Sequence, residues 1–345
     1  MVLPVLTICV LLLPFLSKEL SNSAVKSKFF NSAYFVLGVI LCFIIANRSP
    51  LTSDYVNYQL FYDSGVERFE TGFVFLGENC KKIGLTLIDF FFVCAFIAIT
   101  IKFYAIIKMT RLVFASLFIY ISNAFILQEN IQVRCAIASA FVLLSIYYSV
   151  EKQLVKFLLT VSLAVLFHNT AIIVFPLWFV SNSAKHLKYY VFLIPLAYIL
   201  FGLGFTFGRF IQYIPIPPIQ NFWSYYIVLL DRGIGHVEIN VFNALQLTKC
   251  VFCFILYFYT TKIASSNKYF VVCLKIYIIS LFLYVVFSDF PVAADRLSEF
   301  LSIVEIILLP CLLWISKNKQ IGWSLIAFWS STHLFVHIVI LQHLL

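Results

Sequence analysis

The sequence predicts an all-α protein, a polytopic transmembrane helical bundle with about 10 full spans, one broken or re-entrant pair of short helices and two long external loops. Hydrophobic residues make up 63% of the 345 positions and charged residues 11%. A soluble core cannot absorb that much apolar surface, so the lipid bilayer must be the solvent. The spans are predicted to be helices because the alternating segments of about 10 residues that a β-barrel needs do not recur. Residues 1–345 are predicted to form a single integral membrane domain.

The predicted spans are the apolar runs of bilayer length. They lie at about residues 3–17, 29–46, 87–107, 112–127, 133–150, 189–208, 241–261, 269–288, 297–316 and 321–342. The first run has neither a basic segment before it nor a small-residue cleavage site, so we predict a retained helix rather than a cleaved signal peptide. This count places both termini outside.

The segment from Phe157 to Val180 interrupts the series of single spans. As one span it would place the connection that contains Lys185 and Lys188 outside and would invert every later loop. As two short halves that turn at residues 167–170, it returns the chain to the cytoplasm. We therefore predict a broken or re-entrant helix pair here, which is tolerated at membrane depth only against protein or a wet cavity.

Lysines and arginines fall in opposite sets of alternate connections. Lysine excess marks the cytoplasmic side, so the lysine set is predicted to be internal and the arginine set, which also holds most acids, external. The lysine set is Lys18, Lys26, Lys28, Lys102, Lys108, Lys152, Lys156, Lys185, Lys188, Lys262, Lys268, Lys317 and Lys319. The arginine set is Arg48, Arg68, Arg134, Arg209, Arg232 and Arg296, with acids that include Asp54, Glu70, Glu129, Asp295 and Glu299. The exceptions are Arg111, Lys81 and Lys82.

The two predicted external loops cover about residues 47–86 and 209–240. Structureless loops longer than about 15 residues are uncommon, so both are predicted to be functional or to contain short helices. The cytoplasmic connections are short, which places any chemistry outside. The sequence has no P-loop and no G-x-G-x-x-G motif, so ATP is not predicted to be the direct energy source. No metal ligand set stands out, and we expect no cofactor.

Two motifs on the arginine side have both a functional and a structural interpretation. The residues Asp54-Tyr55-x-x-Tyr58, which follow Arg48 and precede Glu70, form either a sugar and phosphate site or a solvated loop with interfacial tyrosines. Asn130 and Arg134 are predicted to share a helix face at i, i+4 spacing. An arginine at that depth is costly unless it is paired or faces a polar cavity, although it could also extend to the interface.

Two further motifs leave the same choice open. His168, at the predicted break, is either a buried histidine that bonds the broken backbone or a functional donor or general base. Asp295, Arg296 and Glu299 form either a self-contained set of i, i+3 and i, i+4 pairs or part of a cavity. Glu305 lies deeper in the same span, where a carboxylate must find a partner.

Taken in order, these segments resemble the EpsG family of bacterial polysaccharide polymerases, the Wzy-like proteins. The matching residues are Arg48, Asp54-Tyr55-x-x-Tyr58, Glu70-Thr71-Gly72-Phe73, Asn130-x-x-x-Arg134, Phe167-His168-Asn169-Thr170-Ala171 and Asp295-Arg296-Leu297. The family typically has E-P-G-F at the motif that begins with Glu70, N-x-x-R-Q-x-x-A at the one that begins with Asn130, and F-H-x-S-A at the one that begins with Phe167. The resemblance covers roughly residues 48–310.

The resemblance implies a transferase in the bacterial plasma (inner) membrane with its active site outside. Wzy-like enzymes take a growing glycan from its polyprenyl diphosphate and add it to a newly arrived lipid-linked repeat unit. The implied partners are therefore a polyprenyl-diphosphate-linked oligosaccharide and membrane lipid, with a chain-length regulator left open and no nucleic acid.

The expected roles follow from that reaction. A departing diphosphate needs cations, for which Arg134 and Arg296 are the first candidates and Arg48, Arg209 and Arg232 the helpers. The attacking hydroxyl needs a base, for which the candidates are Asp54, Glu70 and His168, followed by His236. Tyr55 and Tyr58 are predicted to contact sugar, and Asn130, Asp295 and Glu299 to complete the binding surface.

Two other functions remain open from the sequence. A lipid-linked oligosaccharide flippase would suit a broken helix pair, but the chain has no internal repeat and its acids crowd one side. A membrane O-acyltransferase would need a cytoplasmic acyl-donor site, which the short cytoplasmic connections disfavour.

Overall fold

A computed structural model describes residues 28–65, 69–211, 239–315 and 317–337, together with positions 213, 220, 224 and 228. Within these residues every element of regular secondary structure is helical. The elements in chain order are α1 (Lys28–Ala46), α2 (Tyr55–Ser64), α3 (Thr71–Lys82), α4 (Leu87–Met109), α5 (Val113–Ser122), a π-helix (Phe125–Ile131), α6 (Val133–Val150), α7 (Leu154–Phe167), a 3₁₀ helix (Asn169–Phe179), a 3₁₀ turn (Ala184–His186), α8 (Leu187–Gly202), α9 (Gly208–Ile211), α10 (Ala244–Phe258), α11 (Thr260–Ala264), α12 (Phe270–Val286), α13 (Pro291–Ser302), α14 (Glu305–Leu308), a second 3₁₀ helix (Leu309–Trp314) and α15 (Lys319–Phe335).

Three helical segments are long and apolar enough to cross a membrane, namely Leu87–Met109, Val133–Val150 and Pro291–Trp314. Six shorter apolar helices of 10–17 residues accompany them in the described part of the chain. The all-α membrane class is therefore confirmed, whereas the predicted number of about 10 full spans is not. The apolar run at 112–127, for example, is divided between α5 and the π-helix.

The chain divides into two compact units. The first unit comprises residues 1–181, 262–270 and 303–345, and the second comprises residues 182–261 and 271–302. Arg48, Glu70 and Arg134 belong to the first unit, whereas Arg296 belongs to the second.

The first predicted external loop contains two helices, α2 and α3, that pack on the start of α4. Helix α2 ends at Gly65, whose positive φ of 68° is a conformation that glycine adopts without strain. Helix α4 begins with a capping box, in which the Thr86 hydroxyl accepts from the Asp89 amide and the Asp89 carboxylate accepts from the Thr86 amide. Phe73 and Phe90 are completely buried in the shared aromatic core. The loop is therefore a folded layer rather than a solvated connection.

The predicted break after Phe167 is present in the structure. Helix α7 ends there, His168 is extended (φ −158°, ψ 115°), and a 3₁₀ helix of 11 residues follows. The chain reverses at this point, because the end of the second helix returns to the start of the first. The rings of Phe157 and Trp178 are 5.3 Å apart, and Ser149 Oγ donates to the carbonyl oxygen of Leu177 at 3.4 Å.

The lysine end of the first unit is held by polar contacts. Glu151, directly after α6, accepts from Lys268 Nζ at 2.5 Å and from the Tyr269 hydroxyl. These hydrogen bonds lower the pKa of Glu151. Lys262 Nζ donates to the Ile315 carbonyl at 2.7 Å and Lys319 Nζ to the Leu313 carbonyl at 3.0 Å, where the last carbonyls of a helix carry partial negative charge.

One assignment from the charge pattern is wrong. Lys102 was predicted to lie with the cytoplasmic lysines and Glu129 with the external acids, yet both side chains are completely buried and form an ion pair at 2.5 Å. A cation inside the apolar bundle needs a carboxylate partner. Because 27 residues separate the two in sequence, the pattern of alternate loops could not reveal the pair.

In the second unit, Asp289 joins two connections. Its carboxylate accepts from the Thr206 hydroxyl at 2.7 Å and from the Gly208 amide at 3.0 Å. The Tyr198 hydroxyl donates to the Val241 carbonyl at 3.0 Å, beside a small apolar core that includes Val285. The acid and arginine motif of residues 295–299 lies on α13 of this unit.

Candidate functional site

Two of the sequence motifs meet in an ion pair in the first unit. Arg134 Nη1, on the first turn of α6, donates to Glu70 Oε2, which lies 64 residues earlier in the chain. The two side chains are 22% and 10% exposed. The guanidinium of Arg134 also lies over the ring of Phe69, 4.4 Å from its centroid. Arg134 is therefore paired and stacked rather than extended toward the interface.

Glu70 and Gly72 of the motif at residues 70–73 have different roles in this site. Glu70 is extended (φ −66°, ψ 148°) at the start of α3 and makes no side-chain cap to its own helix. Its Oε1 instead accepts from the Asn169 amide at 3.4 Å, just after the chain break. A Cβ atom at Gly72 would come within 2.7 Å of the Leu166 carbonyl oxygen, so glycine permits the close approach of α3 to α7.

The Gly72→Ala substitution should therefore impair activity, because α3 must shift away from α7 and carry Glu70 with it. We expect a loss of glycan synthesis in cells of at least about tenfold, in line with the cost of misplacing catalytic groups. The matched control is Gly202→Ala, since a Cβ atom there meets nothing within 4 Å. Equal activity of the two variants would show that this close approach is unimportant.

His168 takes the structural role that the sequence left open, although the functional role stays a prediction. Its Nδ1 accepts from the Thr170 amide at 3.3 Å, and its own amide donates to the Ala164 carbonyl at 2.9 Å. The neutral ring that accepts at Nδ1 carries its proton on Nε2. The amide of the next residue, Asn169, donates to Glu70. His168 is therefore adjacent in sequence to the residue that contacts Glu70, which is another candidate base.

Arg48 is the most deeply buried arginine of the site, with 4% of its surface exposed. Its Nε donates to the Ile45 carbonyl at 3.2 Å and its Nη1 to the Asn130 carbonyl at 3.0 Å. The guanidinium lies 3.9 Å from the centroid of the Phe91 ring. Burial lowers the pKa of Arg48 to about 10, while the carboxylate of Glu129 acts in the opposite direction. Arg48 therefore stays charged at neutral pH.

No carboxylate forms a salt bridge with Arg48 among the residues that the structure describes. Its Nη2 is buried and has no hydrogen-bond partner within the same part of the chain. A buried cation with an unused donor is costly, and it is suited to an anionic ligand.

Tyr58 lies between the two arginines. Burial raises the pKa of its phenol to about 12, with a further contribution from the charge of Asp54, while Arg134 and Arg48 act in the opposite direction. Its ring packs against Phe69 and Phe91, so the hydroxyl rather than the ring face is the part that can meet a ligand. The phenol stays protonated at neutral pH and can donate a hydrogen bond.

Two other predicted residues lie at the edge of this site. Asp54 directly precedes α2 and is partly exposed, and its side chain makes no cap to the helix. The ring of Tyr55 is partly exposed and lies 5.6 Å from that of Phe91.

The sequence model of the EpsG family matches residues 31–344, which is most of the chain. This chain belongs to the EpsG family. The resemblance drawn from the motifs is thereby confirmed. Among curated proteins, the chain is similar to the amylovoran biosynthesis protein AmsC of Erwinia amylovora, with 22% identity over 333 residues that cover 88% of this chain and 85% of that protein. No solved structure matches the chain.

One geometric prediction for the EpsG-family motif around Arg134 is wrong. Asn130 and Arg134 do not share a face of one helix, because Asn130 belongs to the π-helix and Gln132 (φ −104°, ψ 64°) separates that helix from α6. Asn130 is completely buried. It reaches the site through its backbone carbonyl, which accepts from Arg48.

The remaining predicted residues of this EpsG-family protein are not brought together with Arg48 and Glu70 by any described contact. Arg296 Nη1 and Glu299 Oε2 are 3.9 Å apart on α13, as expected for a local i, i+3 pair, and Asp295 precedes them. The side chain of Arg209, and all of Arg232 and His236, lie outside the described residues. Their predicted roles stay predictions.

Sequence reasoning missed two buried polar clusters in this EpsG-family chain. Around Glu129, Tyr120 donates to the carboxylate at 2.7 Å, and Lys102 also donates to Gln128 Oε1 at 3.0 Å. The consecutive polar residues 128–130 between two apolar runs were the available signal. Elsewhere in the first unit, Asn123 donates to Glu305 at 3.3 Å and lies 3.1 Å from a ring nitrogen of His337, so Glu305 has the partner that its depth required.

No group of three or more histidine, cysteine, aspartate or glutamate side chains able to hold a metal ion occurs in the part of the chain that the structure describes. The described residues that gather around Glu70 and Arg48 are instead carboxylates, guanidiniums, a phenol and backbone carbonyls. Such a set can bind an anion and accept a proton.

Proposed function

We propose that this chain is a polysaccharide polymerase that transfers a glycan from its polyprenyl diphosphate onto a newly arrived lipid-linked repeat unit, at the outer face of the plasma membrane. Membership of the EpsG family supports polysaccharide polymerisation in general. The similarity to a protein named for amylovoran biosynthesis supports the same class of product.

The observation that carries the proposal is the buried Arg48. The site contains two cations, Arg48 and Arg134, one paired carboxylate, Glu70, and one partly exposed carboxylate at its edge, Asp54. The adjacent Lys102 and Glu129 neutralise each other. One buried positive charge therefore remains, and a diphosphate would offset its desolvation cost through charge-assisted hydrogen bonds.

The roles of the two arginines follow from their partners. Arg48, with the unused Nη2, is the better candidate for contacting the departing diphosphate, and the Tyr58 hydroxyl can add a second donor. Arg134 is engaged by Glu70 and holds that carboxylate toward the chain break. We therefore assign diphosphate binding to Arg48 first and to Arg134 second.

The transfer step can be written with these groups. A hydroxyl oxygen of the acceptor sugar bonds to the anomeric carbon of the donor glycan, and the bond from that carbon to the diphosphate oxygen breaks. The electron pair leaves with the diphosphate, whose charge the arginines stabilise. The hydroxyl proton passes to a general base, for which the carboxylates of Glu70 and Asp54 are the first and second candidates and the imidazole of His168 is the third.

The charges at the two ends of α6 favour the outer face. Arg134 lies at the start of this helix and Glu151, paired with Lys268, lies just after its end. The 18 residues of α6 rise roughly 27 Å, close to the thickness of the hydrocarbon core. This length supports a site on the membrane face opposite to Lys268, which belongs to the lysine set that is predicted to be cytoplasmic.

Residues of the second unit are also proposed to bind substrate. Arg296, with Asp295 and Glu299 beside it, remains a proposed further cation for the second lipid-linked substrate. Arg209, Arg232 and His236 remain proposed helpers on the second external loop.

The deciding experiment uses the full-length protein in detergent with purified lipid-linked repeat units. A polymerase should convert single units into a ladder of glycans on the same lipid, because the reaction needs no second compartment. A flippase should give no new covalent product in detergent. Unchanged single units would overturn the proposal, provided that the same protein restores surface glycan when it is expressed in a strain that lacks the gene.

The deletion strain gives an independent reading. Loss of a polymerase should leave surface glycan one repeat unit long, loss of a flippase should leave none, and loss of an O-acyltransferase should leave full-length glycan without a decoration. Full-length glycan in that strain would contradict polymerase function.

A further inference from the structure

The buried ion pair between Lys102 and Glu129 lies directly beside the proposed diphosphate site. Glu129 and the next residue, Asn130, face different partners. The side chain of Glu129 meets Lys102 of α4, whereas the carbonyl of Asn130 accepts from Arg48. Any movement of the π-helix that carries Glu129 would therefore also move the acceptor that orients Arg48.

The π-helix is fastened to three neighbouring helices by polar contacts. Glu129 is bonded by Lys102 of α4 at 2.5 Å and by Tyr120 of α5 at 2.7 Å. Gln128 accepts from Ser139 of α6 at 2.6 Å. π-Helices are rare and are found frequently at functional sites. This one ends beside the site, and the carbonyl of Asn130 in its last turn accepts from Arg48 Nη1 at 3.0 Å.

Glu129 also acts on Arg48 through its charge. Its Oε2 is buried and has no hydrogen-bond partner in the described part of the chain. Its carboxylate opposes the effect of burial on the Arg48 guanidinium. The Glu129 carboxylate thus bonds one cation, Lys102, and its charge also stabilises a second, Arg48.

We infer that Lys102 and Glu129 are positioning residues for the diphosphate site, which hold the π-helix so that Asn130 and the field of Glu129 orient Arg48. The inference rests on the proposed function. Stability alone does not require these charges, because apolar side chains of similar volume usually hold helices together as well as a buried ion pair does. Neither side chain contacts the substrate in this role.

The test exchanges the two charges in the full-length protein, with Lys102→Glu and Glu129→Lys combined. If the pair only joins α4 to the π-helix, the exchanged pair should restore both thermal stability and activity. If the carboxylate must lie on the π-helix near Arg48, the exchange should preserve the melting temperature in detergent and lower kcat at least roughly tenfold. The KM for the acceptor repeat unit should stay within about twofold of the wild type, because only the leaving-group site is disturbed.

A second variant keeps the inference testable if the exchanged protein does not insert. Lys102→Met combined with Glu129→Gln removes both charges and should fold. The same fall in kcat is expected, with the same KM for the acceptor. The matched control is Lys268→Met combined with Glu151→Gln, which removes the ion pair at the opposite end of α6 and should leave kcat unchanged.

The outcomes separate this inference from the proposed function. A wild-type protein that makes no polymer would contradict the function itself. A wild type that polymerises, together with an exchanged or neutral variant of normal kcat, would overturn only the positioning role.

Discussion

Replacing Arg48 with methionine should lower the rate of glycan elongation by at least ~10²–10³-fold, which is the usual cost of removing one preorganised group that stabilises developing charge. The expected loss follows from the position of this guanidinium, which is buried, charged and without a carboxylate among the described residues. In cells that lack the wild-type gene, the variant should give glycan of one repeat unit on gels. The amount of protein in the membrane should stay close to that of the wild type, since the substitution removes the desolvation cost of a buried charge together with its hydrogen bonds to the Ile45 and Asn130 carbonyls.

Arg48→Lys separates charge from geometry. Lysine keeps the positive charge but cannot donate in two fixed directions to the carbonyls of Ile45 and Asn130, nor stack on Phe91 as a planar group. We expect it to recover only a small part of the lost rate. Arg111→Met is the matched control, because Arg111 is exposed and lies among the lysines. Long ladders from Arg48→Met would remove Arg48 from the mechanism.

Replacing Glu70 with glutamine should lower elongation by ~10²–10⁴-fold, the range typical of a lost general base. Glutamine keeps the shape of the side chain and an oxygen that can accept from the Asn169 amide, so the site should stay folded. The loss of the ion pair to Arg134 should cost about 2 kcal/mol or less of stability, because both side chains are partly exposed. The measurement is kcat for elongation of purified lipid-linked repeat units in detergent, compared between the variant and the wild type.

The controls for Glu70 are a second glutamate and a second candidate base. Glu78→Gln changes an exposed residue on the same helix and should have no effect. Asp54→Asn should lower the rate less than Glu70→Gln. The reverse order, with normal activity in Glu70→Gln, would transfer the role of base to Asp54 and leave Glu70 as a support for Arg134.

Part of this site could be predicted from the sequence, because each motif combines a costly polar residue with an apolar context. An arginine near a helix start and a histidine inside an apolar segment both required a special explanation, and Arg134 and His168 have one in the structure. The break at His168 was predictable from the orientation of the later lysines. The partner of Arg134 was not, because 64 residues separate it from Glu70 and sequence spacing carries no information about such a contact.

The two wrong predictions, the location of Lys102 and the shared helix face of Asn130 and Arg134, have the same physical origin. The alternate-loop pattern treated Lys102 as a marker of topology, although it lies well inside α4 and is neutralised by Glu129. Helical spacing placed Asn130 and Arg134 on one face, but it assumed an unbroken α-helix. The π-helix that invalidates this assumption depends on partners from α4, α5 and α6. Local sequence cannot specify a conformation that distant side chains stabilise.

Helix α6 is restrained at both of its ends, by Glu70 at its first turn and by Lys268 and Tyr269 just after its last residue. With 67% of its length buried, α6 is expected to stay in place while the smaller helices packed against it move. Entry of the proposed lipid-linked sugar would require part of the protein to move. We expect that part to be the aromatic layer of α2 and α3, whose amides should exchange with solvent faster than those of α6.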